Sequence, residues 1–209
     1  MYKYGHIHNE AISNIGAFFK RLFDIIVSFI FLLIFLPVIG VCYVAIRLED
    51  KGPAFYTQER IGRYGRTFRL LKFRSMHVTA ESGNTPVLCC GEDDPRLTHV
   101  GRFLRSHHLD ELPQLWNVLV GDMSFVGWRP EREIFIDEIL KRDHRFKYLF
   151  QIRPGVTSFA TLYNGYTDTI EKMLTRLDYD IHYLRTRSFW VDMKILFLTF
   201  WNIVSGKKF

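Results

Sequence analysis

The longest uninterrupted apolar pattern in the chain lies near its start. Residues 25–46 carry no charged side chain over 22 positions, and as an α-helix they would extend roughly 33 Å, about the thickness of a bilayer core. Basic residues flank the run on both sides, Lys20 and Arg21 before it and Arg47 and Lys51 after it. Pro37 stands near its middle, with Gly40 one turn on. Proline removes an amide donor and clashes with the preceding turn, so it bends a helix. Basic flanks mark the cytoplasmic side of a membrane. The pattern therefore fits a helix that enters, bends at Pro37 and leaves by the same face, and a kinked spanning helix fits the same residues. A cleaved signal sequence does not, because its apolar stretch is shorter and small residues follow it.

The rest of the pattern predicts short elements. Residues 1–19 read as an amphipathic lead, with Ile12, Ile15, Phe18 and Phe19 on helical spacing. Residues 52–75 alternate loosely around Gly62 and Gly65 and predict a strand pair with a glycine-containing turn. Residues 80–95 read as a polar loop. Helices are expected over 97–106, 110–120, 131–149, 168–187 and 188–204. In the second of these Asp110 is the expected N-cap, Pro113 lies in the first turn and Gly121 is the stop. The last is strongly apolar and aromatic, and it suits either a core helix or one lying at a lipid surface with Trp190 and Trp201 at headgroup level. Sheet and helix signals together give an α+β chain, mostly helical.

Composition changes this picture little. With 28 Lys and Arg against 22 Asp and Glu, the net charge of +6 suits phosphate-rich partners of any kind. The 19 Phe among 209 residues are more than a small globule buries easily, which again points to a membrane surface. Cys42, Cys89 and Cys90 show no zinc spacing and no disulfide framework. Candidate chemistry falls in three places. Arg60, Arg63, Arg66, Arg69, Lys72 and Arg74 form a basic stretch with no acid between Glu59 and Glu81, suited to phosphate or simply to a solvated face beside anionic lipid. Lys72 and Arg74 stand out because their neighbours are apolar. Asp110 and Glu111 sit side by side at a helix start, where a carboxylate can ligate Mg²⁺ or attack phosphorus, and where it equally serves as an ordinary cap. Asp122, Arg129 and Arg153 lie in turn-like contexts that suit phosphate clamps. No GxSxG, Walker-type loop or GxGxxG occurs.

Read in order, the motifs are more specific than any one of them. Lys20-Arg21-Leu22-Phe23-Asp24 precedes the apolar helix, and Lys51-Gly52-Pro53-Ala54-Phe55, Gln58-Glu59-Arg60-Ile61-Gly62 and Lys72-Phe73-Arg74-Ser75-Met76 follow it. Then come Leu104-Arg105-Ser106, Leu109-Asp110-Glu111-Leu112-Pro113-Gln114, Asn117-Val118-Leu119 and Gly121-Asp122-Met123-Ser124-Phe125-Val126-Gly127. Arg153-Pro154-Gly155-Val156-Thr157 and Tyr179-Asp180 complete the series. Over roughly residues 18–205 the chain closely resembles the bacterial sugar transferases, the monotopic polyprenol-phosphate phosphoglycosyl transferases.

The resemblance implies an enzyme that transfers a sugar-1-phosphate from a UDP-sugar to undecaprenyl phosphate and releases UMP, the first membrane step of a glycoconjugate or polysaccharide pathway. It implies Asp110 as the nucleophile that forms a covalent phosphosugar intermediate, with Glu111 assisting and both carboxylates serving Mg²⁺. It implies substrate or phosphate binding by Lys72, Arg74, Arg105, Asp122, Arg129 and Arg153. It also resolves the apolar helix in favour of a re-entrant one broken at Pro37. The expected layout is an interfacial lead over 1–21, the membrane helix over 22–50, and a catalytic domain over 51–209 on the cytoplasmic face of a bacterial inner membrane. Expected partners are the UDP-sugar, undecaprenyl phosphate, membrane lipid and a second copy in a homodimer, but not nucleic acid. Two departures from the family pattern stand out. Trp128 replaces a proline in Gly127-Trp128-Arg129-Pro130, where it should alter the turn and stack or sit at the interface, and residues 158–166 lack the usual arginine and glutamine. The rival reading is a membrane-anchored protein without enzymatic activity that binds nucleic acid or anionic lipid through its basic stretch.

Overall fold

The computed structural model describes residues 14–80, 94–164, 167 and 169–205. Most of the amphipathic lead, most of the polar loop, Cys89 and Cys90 lie outside the described residues. The apolar run becomes one helix, α1 (Asn14–Glu49), with Pro37 inside it. The described part of the lead is therefore continuous with the apolar segment rather than a separate element. Only 11% of its most apolar 18-residue window is buried against the protein, and Phe29, Ile30, Leu33, Ile34, Leu36 and Val41 are exposed. By length and composition α1 can cross a membrane.

Both ends of α1 dock onto the body. Near the start, Arg21 donates to the carbonyls of Val118 at 2.6 Å and Leu119 at 2.8 Å, the last turn of a second helix, α3 (Gln114–Val120). At the other end, the Glu49 carboxylate accepts from the His99 amide at 2.7 Å and the Val100 amide at 2.9 Å, the first turn of α2 (His99–Ser106). A cation on orphan carbonyls and an anion on orphan amides are each the favourable partner for a helix dipole. Cys42 and Ile46 bury themselves with Ala54, Phe73 and Leu104. Thus the two ends of α1 are bonded to one body, and between them one face packs on it through Leu32, Phe35, Val38 and Ile39 while the other faces outward.

The expected strand pair is present as β1 (Phe55–Ile61) and β2 (Thr67–Phe73), antiparallel with Phe55 opposite Phe73 and Ile61 opposite Thr67. Its turn uses two consecutive left-handed residues, Tyr64 at φ 61° and Gly65 at φ 68°. A second, parallel pair was not read from the sequence: β3 (Ser124–Val126) lies beside β4 (Gly155–Thr157). Three residues are too few for an alternation signal. The expected helix over 131–149 is also interrupted. α4 (Glu133–Arg142) ends where Asp143 turns extended, and the Asp143 carboxylate accepts from the Arg145 amide at 2.8 Å to open a 3-10 helix (His144–Gln151). A short carboxylate that bonds a following amide competes with helix continuation. α5 (Ile170–Thr186) and α6 (Phe189–Val204) match expectation, with Ser188 capping α6.

Trp128 is in the core and not at an interface. It is 1% exposed, packs edge-on against Phe146 and Phe150, and donates its indole N–H to the Ile152 carbonyl at 3.3 Å. A buried indole with its one donor satisfied is a stable arrangement. α6 buries Asp192 and Ile195, while Trp190 at 79% and Trp201 at 59% remain exposed with Phe197 and Phe200. Lys20 of α1 and the Tyr183 hydroxyl of α5 both donate to the Asp192 carboxylate, tying three helices together.

One buried carboxyl has a measurable consequence. Asp180 on α5 is 3% exposed and its Oδ1 has no hydrogen-bond partner among the described residues. Burial pushes its pKa up to about 7, against the opposing pull of Arg176 and with further upward pressure from Glu131. The folded state then holds a proton that the unfolded state releases near its ordinary value, 3.8. Stability must fall as pH rises through that window. Asp180→Asn is expected to stabilise the protein at pH 8 by up to about 4 kcal/mol, raising its melting temperature there, and to leave it nearly unchanged at pH 4. Thermal melts at the two pH values check this.

Candidate active site

The chain leaves α2 through His108, a left-handed residue at φ 55°, and enters a 3-10 turn, Leu109–Glu111. A β-carbon in that region costs energy, so the turn is held by its surroundings. Leu109 packs on the smaller core and Leu112 on the larger one. This directs Asp110 and Glu111 toward β2. Asp110 is inside the 3-10 turn and is not the N-cap of α3. Pro113 occupies that position, at φ −61° and without a side-chain cap bond. The reason is that the helical turn begins earlier than the sequence suggests, and Pro113 needs no amide partner there.

Glu111 is fixed from two directions. Lys72 of β2 donates to its Oε1 at 2.7 Å and Arg129 donates to the same atom at 3.3 Å. Burial alone would raise its pKa, but Lys72 and Arg129 more than offset that and hold it well below the usual carboxylate range. Asp110 has the opposite balance. Its carboxyl is 6% exposed and accepts no hydrogen bond among the described residues. Burial raises its pKa, with Lys72 and Arg105 opposing and the Glu111 charge adding to the rise. Two adjacent carboxylates thus sit in environments that push them apart, the pattern by which one becomes reactive and the other stays a fixed charge. Arg105 approaches through its bond from Nε to the Ser75 hydroxyl, 3.0 Å.

Asn117 stabilises this arrangement from behind. Its Oδ1 accepts from the Leu71 amide at 2.9 Å and its Nδ2 donates to the Arg69 carbonyl at 2.8 Å, so α3 is stapled to the strand that carries Lys72. Its neighbours were legible, but nothing in the sequence signalled that an asparagine on a helix would bond a strand backbone.

The structure brings Lys72, Arg105, Asp110, Glu111 and Arg129 together. It does not place the other expected residues with them. Arg74 is buried and donates to the Asp50 carbonyl at 2.5 Å, at the end of α1. Asp122 accepts from Asn117 at 3.3 Å, just past the far end of α3. Arg153 donates from Nε to the Gly121 carbonyl at 2.8 Å, also at that end. There it meets Arg63 and Arg21, whose charges together with burial lower its pKa. The seven residues of α3 separate the two ends by roughly 10 Å.

Asp110 and Glu111 are the oxygen donors available to a divalent cation here, and no group of three or more potential ligands occurs among the described residues. One or two carboxylates completed by substrate phosphate and water is the coordination that magnesium accepts, so the pair fits that ion in the company of a phosphorylated substrate.

Residues 15–206 match the family described as bacterial sugar transferase. The chain is 40% identical over 195 residues to the UDP-glucose:undecaprenyl-phosphate glucose-1-phosphate transferase of Klebsiella pneumoniae, covering 92% of this chain and 42% of that protein. It is 35% identical over 209 residues to the UDP-N-acetylgalactosamine-undecaprenyl-phosphate N-acetylgalactosaminephosphotransferase of Aeromonas hydrophila, covering 98% of this chain and 49% of that protein. It is 40% identical over 182 residues to the UDP-glucose:undecaprenyl-phosphate glucose-1-phosphate transferase of Caulobacter vibrioides, covering 86% of this chain and 67% of that protein. The chain spans less than half the length of the first two relatives. The match nonetheless takes in all of α1 but its first residue, the hairpin and the Asp110-Glu111 turn, and the chain belongs to the bacterial sugar transferase family.

Proposed function

We propose that this chain transfers a sugar-1-phosphate from a UDP-sugar to undecaprenyl phosphate, with release of UMP, through a covalent intermediate on Asp110. The observation that carries the reading is the contrast within the dyad: a buried carboxylate that accepts no hydrogen bond among the described residues, beside one locked by two cations. In the first step an Asp110 oxygen attacks the phosphorus that bears the sugar. The new O–P bond replaces the bridging P–O bond, and UMP leaves with the electron pair. In the second step a phosphate oxygen of the lipid attacks the same phosphorus and restores the carboxylate. A carboxylate stripped of hydrogen bonds is a stronger nucleophile, and splitting the transfer lets a soluble donor and a membrane acceptor react in turn. Lys72, Arg105 and Arg129 supply the positive field that displacement at phosphorus needs. A magnesium ion held by Asp110 and Glu111 would neutralise diphosphate charge.

Arg153, Arg63 and Arg21 form a second basic group, which suits a phosphate farther from the dyad. The membrane seat is read from α1, bonded to the body at both ends and with an apolar face exposed between them; the basic residues that flank it on both sides support entry and exit on one face, with the bend at Pro37. The exposed aromatic face of α6 supports a helix lying in the membrane interface, and the basic flanks of α1 support the cytoplasmic side. The rival reading, a binder of nucleic acid, is disfavoured by where the basic stretch goes. Arg60, Lys72 and Arg74 are taken up by Glu131, Glu111 and Asp50, and Arg63 by the Gln151 carbonyl.

The relatives named above act on different sugars, so the test is a panel. Full-length protein is incubated with undecaprenyl phosphate, Mg²⁺ and each of UDP-glucose, UDP-galactose and their N-acetyl counterparts. UMP release with at least one donor is expected. Folded protein that releases none from the whole panel contradicts the reading.

A further inference from the structure

Glu131 takes no part in the dyad, yet it is one of the most heavily bonded buried charges in the molecule. It is 6% exposed. Its Oε1 accepts from Arg176 of α5 at 2.7 Å and its Oε2 from Arg60 of β1 at 3.0 Å. Its own carbonyl accepts from the Ile61 amide at 3.2 Å. Arg60 also donates to the Pro130 carbonyl at 3.1 Å and to Gln58 at 2.6 Å. Arg176 reaches on to the Thr167 hydroxyl at 2.7 Å. Three parts of the fold, the hairpin, the Arg129-Pro130-Glu131 segment and α5, therefore meet on one carboxylate.

Arg129 needs such support. It is 44% exposed on its side chain, and its one hydrogen bond among the described residues is the 3.3 Å contact to Glu111. Its placement is set by backbone, and the next residue, Pro130, has a fixed φ and lies directly under the Arg60 bond. Lys72 is carried by the same hairpin. Lys72 pairs with Tyr56 and Phe68 with Arg60 across the strands, so Lys72 and Arg60 share one face. One hairpin face thus delivers Lys72 to Glu111 and Arg60 to Glu131. Glu131 lies in the field of three guanidinium groups: burial raises its pKa, and Arg176, Arg60 and Arg129 together hold it down.

We propose that Glu131 is a positioning residue for Arg129: through the Arg60–Glu131–Arg176 bridge it fixes the guanidinium against Glu111 and couples that contact to α5 and to the segment around Thr167. The inference rests on the reading of Asp110 and Glu111 as the reacting pair. Its test is a double-mutant cycle on UMP release, using the UDP-sugar found by the panel and comparing the parent protein, Glu131→Gln, Arg129→Ala and the double variant. Glu131→Gln is expected to lower kcat/KM about tenfold, and the double variant to fall within about twofold of Arg129→Ala alone, because a residue that acts through another has nothing further to lose. Near-ultraviolet circular dichroism, to which the buried Trp128 contributes, monitors folding. Should Glu131→Gln not fold, Arg60→Lys, which keeps the cation but loses the forked reach to Pro130 and Glu131, enters the same cycle with an expected loss of about threefold. Effects that multiply would overturn the positioning role. Asp110→Asn is measured alongside. Turnover in that variant would overturn the reading beneath, whereas multiplying effects with an inactive Asp110→Asn would overturn this inference alone.

Discussion

Asp110→Asn abolishes UMP release and leaves the protein folded. The expected loss is at least about a thousandfold, equivalent to roughly 4 kcal/mol in the barrier, because an amide oxygen cannot displace UMP and be regenerated. The fold should not suffer. The carboxylate accepts no hydrogen bond among the described residues, and burial already raises its pKa, so the native state holds its charge at a cost. Replacing it with a neutral group of the same shape leaves no partner unsatisfied, the condition under which such a change is tolerated. UMP release and a thermal melt on the same preparation check both halves of this expectation.

Gly155→Ala has the opposite effect: it destroys the fold without touching the dyad. A methyl group there would lie 2.1 Å from the Gly127 nitrogen and 2.4 Å from the Thr157 carbonyl oxygen. Both are backbone atoms, Gly127 directly following β3 and Thr157 ending β4, and Gly155 itself donates to the Trp128 carbonyl at 2.9 Å. None of them can move without breaking the parallel pair. Overpacking of a site whose neighbours are flexible side chains costs about 1–3 kcal/mol, and here the cost should exceed that range. Gly40→Ala is the control, since a methyl group there meets nothing within 4 Å. Gly155→Ala is expected to melt well below the parent, whereas Gly40→Ala is expected to melt at the parent's temperature.

Gly155 also shows where the sequence runs out. Arg153-Pro154-Gly155 reads as a turn, and glycine in a turn is usually explained by backbone freedom. Here its φ is not in the left-handed region, and the glycine is needed because another strand passes too close for a side chain. That strand lies about thirty residues earlier in the chain, and no local pattern reports it. The elements with a local cause were legible. α1 follows from 22 uncharged residues, the hairpin from alternation around glycine, and α6 from an apolar and aromatic stretch whose only charges before Asn202 are Asp192 and Lys194. The interruption at Asp143 was not, because it depends on one carboxylate choosing the Arg145 amide over continued helix.

The site divides in the same way. Asp110 and Glu111 were found by their order among neighbouring motifs, and Lys72 by its apolar setting in a basic stretch. Arg74 stood in the same setting but serves the end of α1, a distinction that only the fold makes. Arg153 carries the right charge for phosphate, yet the length of α3 lies between it and the dyad. Glu131 gave no signal at all, since its meaning comes from two arginines distant in the chain.

The central claim is a covalent bond between one carboxyl oxygen and a glycosyl phosphate. Intact-protein mass spectrometry after mixing the enzyme with its UDP-sugar, in the absence of any lipid acceptor, tests it most directly. The account predicts a mass gain of one sugar phosphate, located by peptide mapping to Asp110 and discharged when undecaprenyl phosphate is added. Unmodified protein, from a preparation that turns over normally once lipid is supplied, would mean direct transfer and would contradict it.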